Sequence, residues 1–132
     1  MSERIAELHE AGYVHRDLKP GNIMWQPRTY TWVLIDFGLA SPVGTDAPVG
    51  FTPTYAAPEM VAASKAGIKA VQADAAVDAW ALGVIAFELL LERSAFGKFR
   101  PVPEVRTLFL CNSFLHIFLC YTCTKFLHCL VD

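Results

Sequence analysis

Apolar residues recur with the spacing of an α-helix at the start of the chain. Ile5 and Leu8 lie three positions apart among charged residues, and Gly12 follows as a typical helix terminator. We therefore predict the last turns of a helix that enters a loop at Gly12. The next segment, 13–22, is polar and contains a Pro-Gly pair, so we predict that it is a loop.

Two short runs of apolar and β-branched residues follow, at 22–25 and 31–35. A Gln-Pro-Arg sequence separates them, which favours a small β-hairpin. The segment 36–58 is rich in Gly, Pro, Thr and Ala and has no sustained period. A loop of this length inside a compact domain is usually functional or disordered.

Two helices are predicted after this loop. The alanine-rich segment 58–76 predicts a helix interrupted near Gly67, with Lys69 on its surface. Segment 75–91 is apolar on most sides, which is typical of a buried central helix. The pattern as a whole predicts a mainly α chain with a small β-hairpin.

Composition narrows the class of protein. With 132 residues the chain is long enough for one domain, and 54% hydrophobic with 18% charged residues is typical of a globular chain. The net charge of -2 gives no reason to expect nucleic acid as a partner. Four charged residues lie among the first ten positions, where a secretory signal would be apolar, so we expect a cytoplasmic protein.

The apolar segment 108–131 differs in composition from the rest of the chain. It has nearly the length of a membrane helix, but polar residues interrupt it at Asn112, His116, Lys125 and His128. A membrane anchor through 108–131 is therefore an alternative that we do not favour. A buried helix is a second alternative, and sequence from outside the original reading frame is the one we prefer.

All four cysteines lie in this tail. Cys120 and Cys123 form a C-x-x-C pair, with His116 and His128 nearby, so a zinc site has to be considered. The surrounding residues are apolar and lack the glycines of a zinc knuckle. We therefore interpret these cysteines as buried or incidental residues.

Three motifs carry chemistry. The string His-Arg-Asp-Leu-Lys-Pro-Gly-Asn occupies 15–22, Asp-Phe-Gly occupies 36–38, and Ala-Pro-Glu occupies 57–59. Together, in this order, they are protein-kinase motifs, and the chain resembles the serine/threonine protein kinase family over about residues 5–96. The resemblance implies a protein-kinase-like C-lobe fragment (α+β), with a partial kinase domain at 1–100 and a hydrophobic tail at 101–132. Only fourteen residues precede His15, so we expect the N-lobe to be absent.

The resemblance implies a role for three catalytic residues. Asp17 would accept the proton of the substrate hydroxyl, and Lys19 would meet the transferring phosphate as a point charge. Thr52 matches the family threonine that bridges these two residues. The Lys-Pro after Leu18 and the threonine at 52 both favour the serine/threonine branch of the family.

Nucleotide and metal binding are implied for further residues. Asn22 and Asp36 would supply oxygen ligands to Mg²⁺, and Lys19 would also contact ATP. Met24 matches the position that forms the floor beneath the adenine base. The implied cofactors are therefore ATP and Mg²⁺, and the implied partner is a protein substrate with a Ser or Thr.

Several family positions bear on support and regulation. Asp78 matches the aspartate of the central helix that holds the catalytic loop, whereas Glu59 is expected to lack its usual arginine partner. Arg16 marks members that are controlled by phosphorylation of the loop between the second and third motifs. Pro48 occupies the place where many members carry the phosphorylated threonine. Thr45 and Asp46 are the candidates to replace it.

The function implied is ATP- and Mg²⁺-dependent transfer of the γ-phosphate to Ser or Thr of protein substrates. The glycine-rich loop, the strand lysine and the helix glutamate of the family should all precede His15, so we expect the isolated chain to be weak or inactive. One alternative is a non-catalytic truncated remnant that acts as an interaction module or has no function. Another is a membrane-tethered fragment, which depends only on the tail.

Overall fold

A computed structural model describes residues 1–92 and 94–95. Contacts divide the chain into one compact unit, Met1–Leu82, and a second, Gly83–Asp132. The first unit contains every residue of the candidate site. In the second unit the described residues include the buried Val84, Ile85 and Ala86. The predictions for the tail, 101–132, lie outside the described residues.

The described residues form three α-helices and six short strands. The helices are α1 (Ser2–Glu10), α2 (Pro58–Lys65) and α3 (Ala76–Leu91). The strands are β1 (Tyr13–Val14), β2 (Ile23–Gln26), β3 (Thr31–Leu34), β4 (Ser41–Pro42), β5 (Asp46–Pro48) and β6 (Ala70–Gln72). Two single 3-10 turns, Pro20–Asn22 and Pro53–Tyr55, separate some of them. The helix at the start, the hairpin and the central helix are confirmed within one or two residues.

The strands pair in three antiparallel couples, of which the predicted hairpin is one. In that hairpin, Met24 of β2 lies opposite Val33 of β3. The other two couples, β1 with β4 and β5 with β6, join segments that are distant in sequence. Segment 36–58 is therefore not an unstructured loop, because it contributes β4 and β5 to these pairings.

The alanine-rich segment 58–76 differs from the prediction. Pro58 starts α2 at a position where its missing N–H costs nothing. The helix ends at Lys65, and Gly67, whose φ is 71°, turns the chain just beyond it. The Ile68 amide donates to the Ala63 carbonyl, which closes the end of the helix. The chain then becomes extended, so the expectation of a second helical stretch that carries Lys69 on its surface was wrong.

Two small apolar clusters hold the first unit together. Ile5 of α1, Leu18 and Ala81 of α3 form one, with Leu34 and Tyr55 packed against it. The other consists of the buried residues Val14, Ala47 and Ala73, with Val77 against them. Leu18 and Val14 lie on either side of the segment 15–17. Segment 15–17 therefore has a buried apolar residue on each side. It begins the string 15–22, which we call the catalytic string after the kinase motif that it resembles.

Candidate active site

Three of the predicted site residues, Lys19, Asn22 and Thr52, converge on the carboxylate of a fourth, Asp17. Lys19 Nζ lies 2.5 Å from Asp17 Oδ2, and Asn22 Nδ2 lies 3.3 Å from the same oxygen. The other oxygen, Oδ1, accepts from the Thr52 hydroxyl at 2.7 Å and from the Thr52 amide at 3.2 Å. Lys19 Nζ also donates to Thr52 Oγ1 at 3.1 Å, so the lysine bridges the two residues.

The network holds Asp17 in its charged form. Burial raises the pKa of Asp17, but hydrogen bonds from Lys19 and Thr52 and the charge of Lys19 outweigh it, so the pKa is below its ordinary value. Asn22 is itself buried, and its Nδ2 donates to the Asp17 carbonyl at 2.8 Å. The side chain of Asp17 is therefore fixed by its neighbours on both oxygens and ionised at neutral pH.

The backbone just before Asp17 is held by Asp78 of α3. Asp78 is fully buried, and its two oxygens accept from the amides of His15 and Arg16 at 2.8 Å each. Arg16 has a φ of 69°, in the left-handed region that non-glycine residues rarely adopt. The pair of hydrogen bonds to one carboxylate stabilises this unusual backbone and so determines where Asp17 points.

His9 of α1 contacts Asp78, and the sequence analysis did not identify this contact. His9 Nε2 lies 2.9 Å from Asp78 Oδ2, across 69 positions of the chain. Its place one helical turn after the buried Ile5 indicated that it faces inward. Its partner, however, could not be read from the local sequence.

A second contact joins the catalytic string to the Asp-Phe-Gly motif. His15 Nε2 lies 3.1 Å from the Ile35 carbonyl, and because a carbonyl only accepts, Nε2 carries the hydrogen. The His15 ring lies 5.1 Å from the Phe37 ring, at a tilt of 46°. The Ile35 amide in turn donates to the Asn22 carbonyl at 3.0 Å. The residue before Asp36 is thereby tied to the catalytic string at two points.

Asp36 and Met24 lie outside the network around Asp17. Asp36 is exposed, with a φ of 60°, and its Oδ1 is 3.4 Å from the Gly38 amide. Met24 is half-exposed on β2. Glu59 is also exposed, so water solvates its carboxylate.

Within residues 1–92 and 94–95 there is no cluster of three or more His, Cys, Asp or Glu side chains that would hold a metal ion. No helix in this part of the chain is long and apolar enough to cross a membrane.

Kinases are among the known proteins with similar sequences. The Mus musculus protein named Serine/threonine-protein kinase Kist is 41% identical over 92 residues, which is 66% of this chain and 22% of that relative. The Drosophila melanogaster cGMP-dependent protein kinase, isozyme 1, is 41% identical over 98 residues, 72% of this chain and 12% of the relative. The chain thus matches about a fifth or less of the length of these two proteins.

A solved structure has a similar fold. The kinase PK-1 of Cydia pomonella granulovirus superposes with a TM-score of 0.50 and 32% sequence identity. The superposition covers 65% of this chain and 30% of the viral kinase.

The sequence model of the protein kinase domain matches residues 1–113, which is most of the chain. The three motifs, the fold and the named relatives agree with this match. The chain belongs to the protein kinase family.

Proposed function

We propose that this chain is the catalytic part of a serine/threonine protein kinase, and that the kinase which contains it transfers the γ-phosphate of ATP to a protein hydroxyl. The observation that carries the proposal is the network that joins Asp17, Lys19, Thr52 and Asn22 through hydrogen bonds of 2.5 to 3.3 Å. Phosphoryl transfer requires positioning and charge neutralisation, and this network supplies both. Relatives that are named serine/threonine kinases support the choice of acceptor.

In the proposed reaction, Asp17 orients the substrate hydroxyl and takes its proton. The hydroxyl oxygen forms a bond to the γ-phosphorus while the bond to the β-phosphate oxygen breaks, and ADP leaves. Because the pKa of Asp17 is lowered, its carboxylate is ionised at neutral pH and is available to accept the proton. Lys19 Nζ, held between Asp17 and Thr52, meets the charge of the transferring phosphoryl group.

The donor set of Asn22 and Asp36 fits Mg²⁺. Both hydrogen bonds of the Asn22 side chain use Nδ2, which leaves its carbonyl oxygen for a cation. The Asp36 carboxylate is exposed, and Mg²⁺ prefers such hard oxygen ligands. When bound, the ion would neutralise the phosphate oxygens. The half-exposed Met24 offers an apolar surface for the adenine base.

We also propose that residues 1–100 belong to the large lobe of the kinase domain, with 101–132 as a separate tail. The order of elements supports this assignment: a helix, the catalytic string, a hairpin, a segment between motifs and an apolar helix.

A phosphotransfer assay tests the function. The natural polypeptide that contains residues 1–132 is incubated with labelled ATP, Mg²⁺ and a mixed protein substrate, and label on Ser and Thr is measured. We expect Asp17→Asn and Asp36→Asn to abolish the incorporation. Asp46→Asn makes the same charge change at an exposed position outside the site and should leave it intact. A folded protein without incorporation would overturn the proposal in favour of a non-catalytic remnant. An active Asp17→Asn variant would overturn the role proposed for Asp17.

A further inference from the structure

The segment between the second and third motifs, residues 36–59, is held by another part of the chain. We call this the activation segment, and we call residues 69–73 the strap. β5 of the activation segment pairs antiparallel with β6 of the strap, with Ala47 opposite Val71. Further bonds extend the ladder: Ala73 N donates to Thr45 O at 2.8 Å, and Val49 N donates to Lys69 O at 3.0 Å.

Additional contacts close the end of this ladder. The Gly44 amide donates to the Ala73 carbonyl at 2.8 Å, and the Gln72 side chain donates to the Gly44 carbonyl at 3.0 Å. Beneath the ladder, Ala47 and Ala73 are both buried against Val14. Since Val14 directly precedes the catalytic string, the strap ties the activation segment to the backbone that carries Asp17.

Arg16 holds the activation segment from the other side. Its side chain donates to the Leu39 carbonyl at 3.2 Å, to Ser41 Oγ at 3.1 Å and to the Pro48 carbonyl. Arg16 is only 6% exposed, and burial lowers its pKa although the charge of Asp78 raises it. These three acceptors on the activation segment are neutral. The guanidinium is therefore satisfied there by hydrogen bonds to uncharged groups.

The sequence pointed to three positions of the activation segment that could bring a negative charge to Arg16, and none of them does so. Pro48 has no hydroxyl and cannot be phosphorylated. The Thr45 hydroxyl donates to the Pro42 carbonyl at 2.8 Å, and Asp46 is exposed opposite Gln72 of the strap. Neither of the two candidates from the sequence takes the place of a phosphate beside Arg16.

We propose that the strap and Arg16 order the activation segment without phosphorylation. In kinases that are switched by activation-loop phosphorylation, a phosphate paired with arginine orders this segment. Here a β-ladder and main-chain carbonyls supply the contacts. They hold residues 44–49, which end three positions before Thr52 in the sequence. The Thr52 hydroxyl contacts Asp17. The inference concerns regulation of the same site and rests on the proposed function.

Amide hydrogen exchange on the full chain, with phosphate excluded by intact mass, tests the proposal. We expect the amides of Gly44, Val49 and Ala73 to exchange more slowly than in an unstructured peptide. The bonds at 73 with 45 and at 69 with 49 set the alternation of the ladder, so the Val71 amide faces β5 and the Ala70 amide faces away.

Val71→Pro removes an amide from the ladder, and we expect it to speed exchange across 44–49 by about tenfold or more. Ala70→Pro is the matched control, since residue 70 is exposed and its amide is outside the ladder. Val71→Ala controls for the loss of the side chain and should stay close to wild type. If Val71→Pro does not fold, the wild-type measurement still decides, because it requires no variant.

Unstructured exchange rates for 44–49 in the unphosphorylated wild type would overturn the proposal. Equal effects of Val71→Pro and Ala70→Pro would overturn it as well. Exchange does not depend on phosphotransfer, so the two proposals fail separately. If the amides of 44–49 are protected from exchange but the protein has no kinase activity, only the proposed function is contradicted. If the activity depends on Asp17 but these amides are unprotected, only the role of the strap is contradicted.

Discussion

The Thr52 hydroxyl donates a 2.7 Å hydrogen bond to Asp17 Oδ1, and the two residues are 35 positions apart in the chain. The Thr52 amide reaches the same oxygen at 3.2 Å. Lys19 contacts both residues, so the three side chains form a closed triangle of hydrogen bonds. The orientation of the proposed catalytic carboxylate thus depends on a residue of the activation segment.

Substitution of Thr52 should therefore impair catalysis more than folding. Thr52→Val removes the hydroxyl that contacts Asp17 and Lys19, and we expect kcat/KM to fall by about tenfold to a hundredfold. Thr52→Ser retains the hydroxyl and should keep most of the activity. The measurement is steady-state phosphotransfer by the natural polypeptide, with the urea midpoint recorded for each variant.

Thr29→Val is the matched control for this series. Thr29 is exposed in the turn of the hairpin, and its hydroxyl contacts only Thr31 at 2.7 Å among the described residues. We expect its kcat/KM to equal that of the wild type. Activity of Thr52→Val at the wild-type level would show that the hydroxyl does not position Asp17.

The lowered pKa of Asp17 predicts a pH dependence of stability. The folded state holds the carboxylate more strongly than the unfolded chain does, so Asp17 contributes fully well above its ordinary pKa of 3.8. This contribution is lost as the pH falls below that value towards the lower folded pKa. Urea unfolding at about pH 5 and about pH 3 should show a smaller acid-induced loss in Asp17→Asn than in the wild type. An identical loss in both proteins would contradict the prediction.

The sequence predicted those parts of the site that are local in the chain. The string 15–22 contains Asp17, Lys19 and Asn22 within six positions, and their contacts follow from a single turn of backbone. The family resemblance added Thr52, which no local pattern would have joined to Asp17. Periodicity and the glycine that follows were sufficient for α1, and a run of residues that is apolar on most sides was sufficient for α3.

The rest depended on partners that are distant in sequence. Residues 70–72 have no strand pattern strong enough to compete with the alanines around them, and they become β6 only because β5 lies opposite. The contact of Arg16 with the Pro48 carbonyl uses main-chain atoms, which every residue type has. A side-chain pattern cannot encode such a contact.

Among the described residues outside the proposed reacting groups, substitution of Asp78 should lower the free energy of unfolding most. Asp78→Ala would leave the buried amides of His15 and Arg16 without their acceptor, and we expect a loss of about 3 kcal/mol in the free energy of unfolding. Asp78→Asn keeps one oxygen acceptor and should lose less. Urea unfolding measures both variants.

The exposed Asp46 provides the comparison, since Asp46→Ala should change the free energy of unfolding by no more than about 0.5 kcal/mol. If Asp78→Ala were as mild as Asp46→Ala, the catalytic string would not depend on Asp78 for its backbone conformation.

His9 should contribute to the same anchor from α1. Its ring is partly exposed, at 24%, whereas the Asp78 carboxylate that it contacts is 1% exposed, so the histidine supplies a donor to a charge that water does not reach. His9→Leu replaces this donor with an apolar side chain of similar size. We expect a loss of about 1.5 kcal/mol in the free energy of unfolding. His9→Gln retains an N–H donor on the same helix and should recover part of the loss.

In a double-mutant cycle with Asp78→Asn, the effect of His9→Leu should shrink, because hydrogen bonds to a charged acceptor are stronger than those to a neutral one. Additive effects of the two substitutions would mean that His9 stabilises α1 by some other contact.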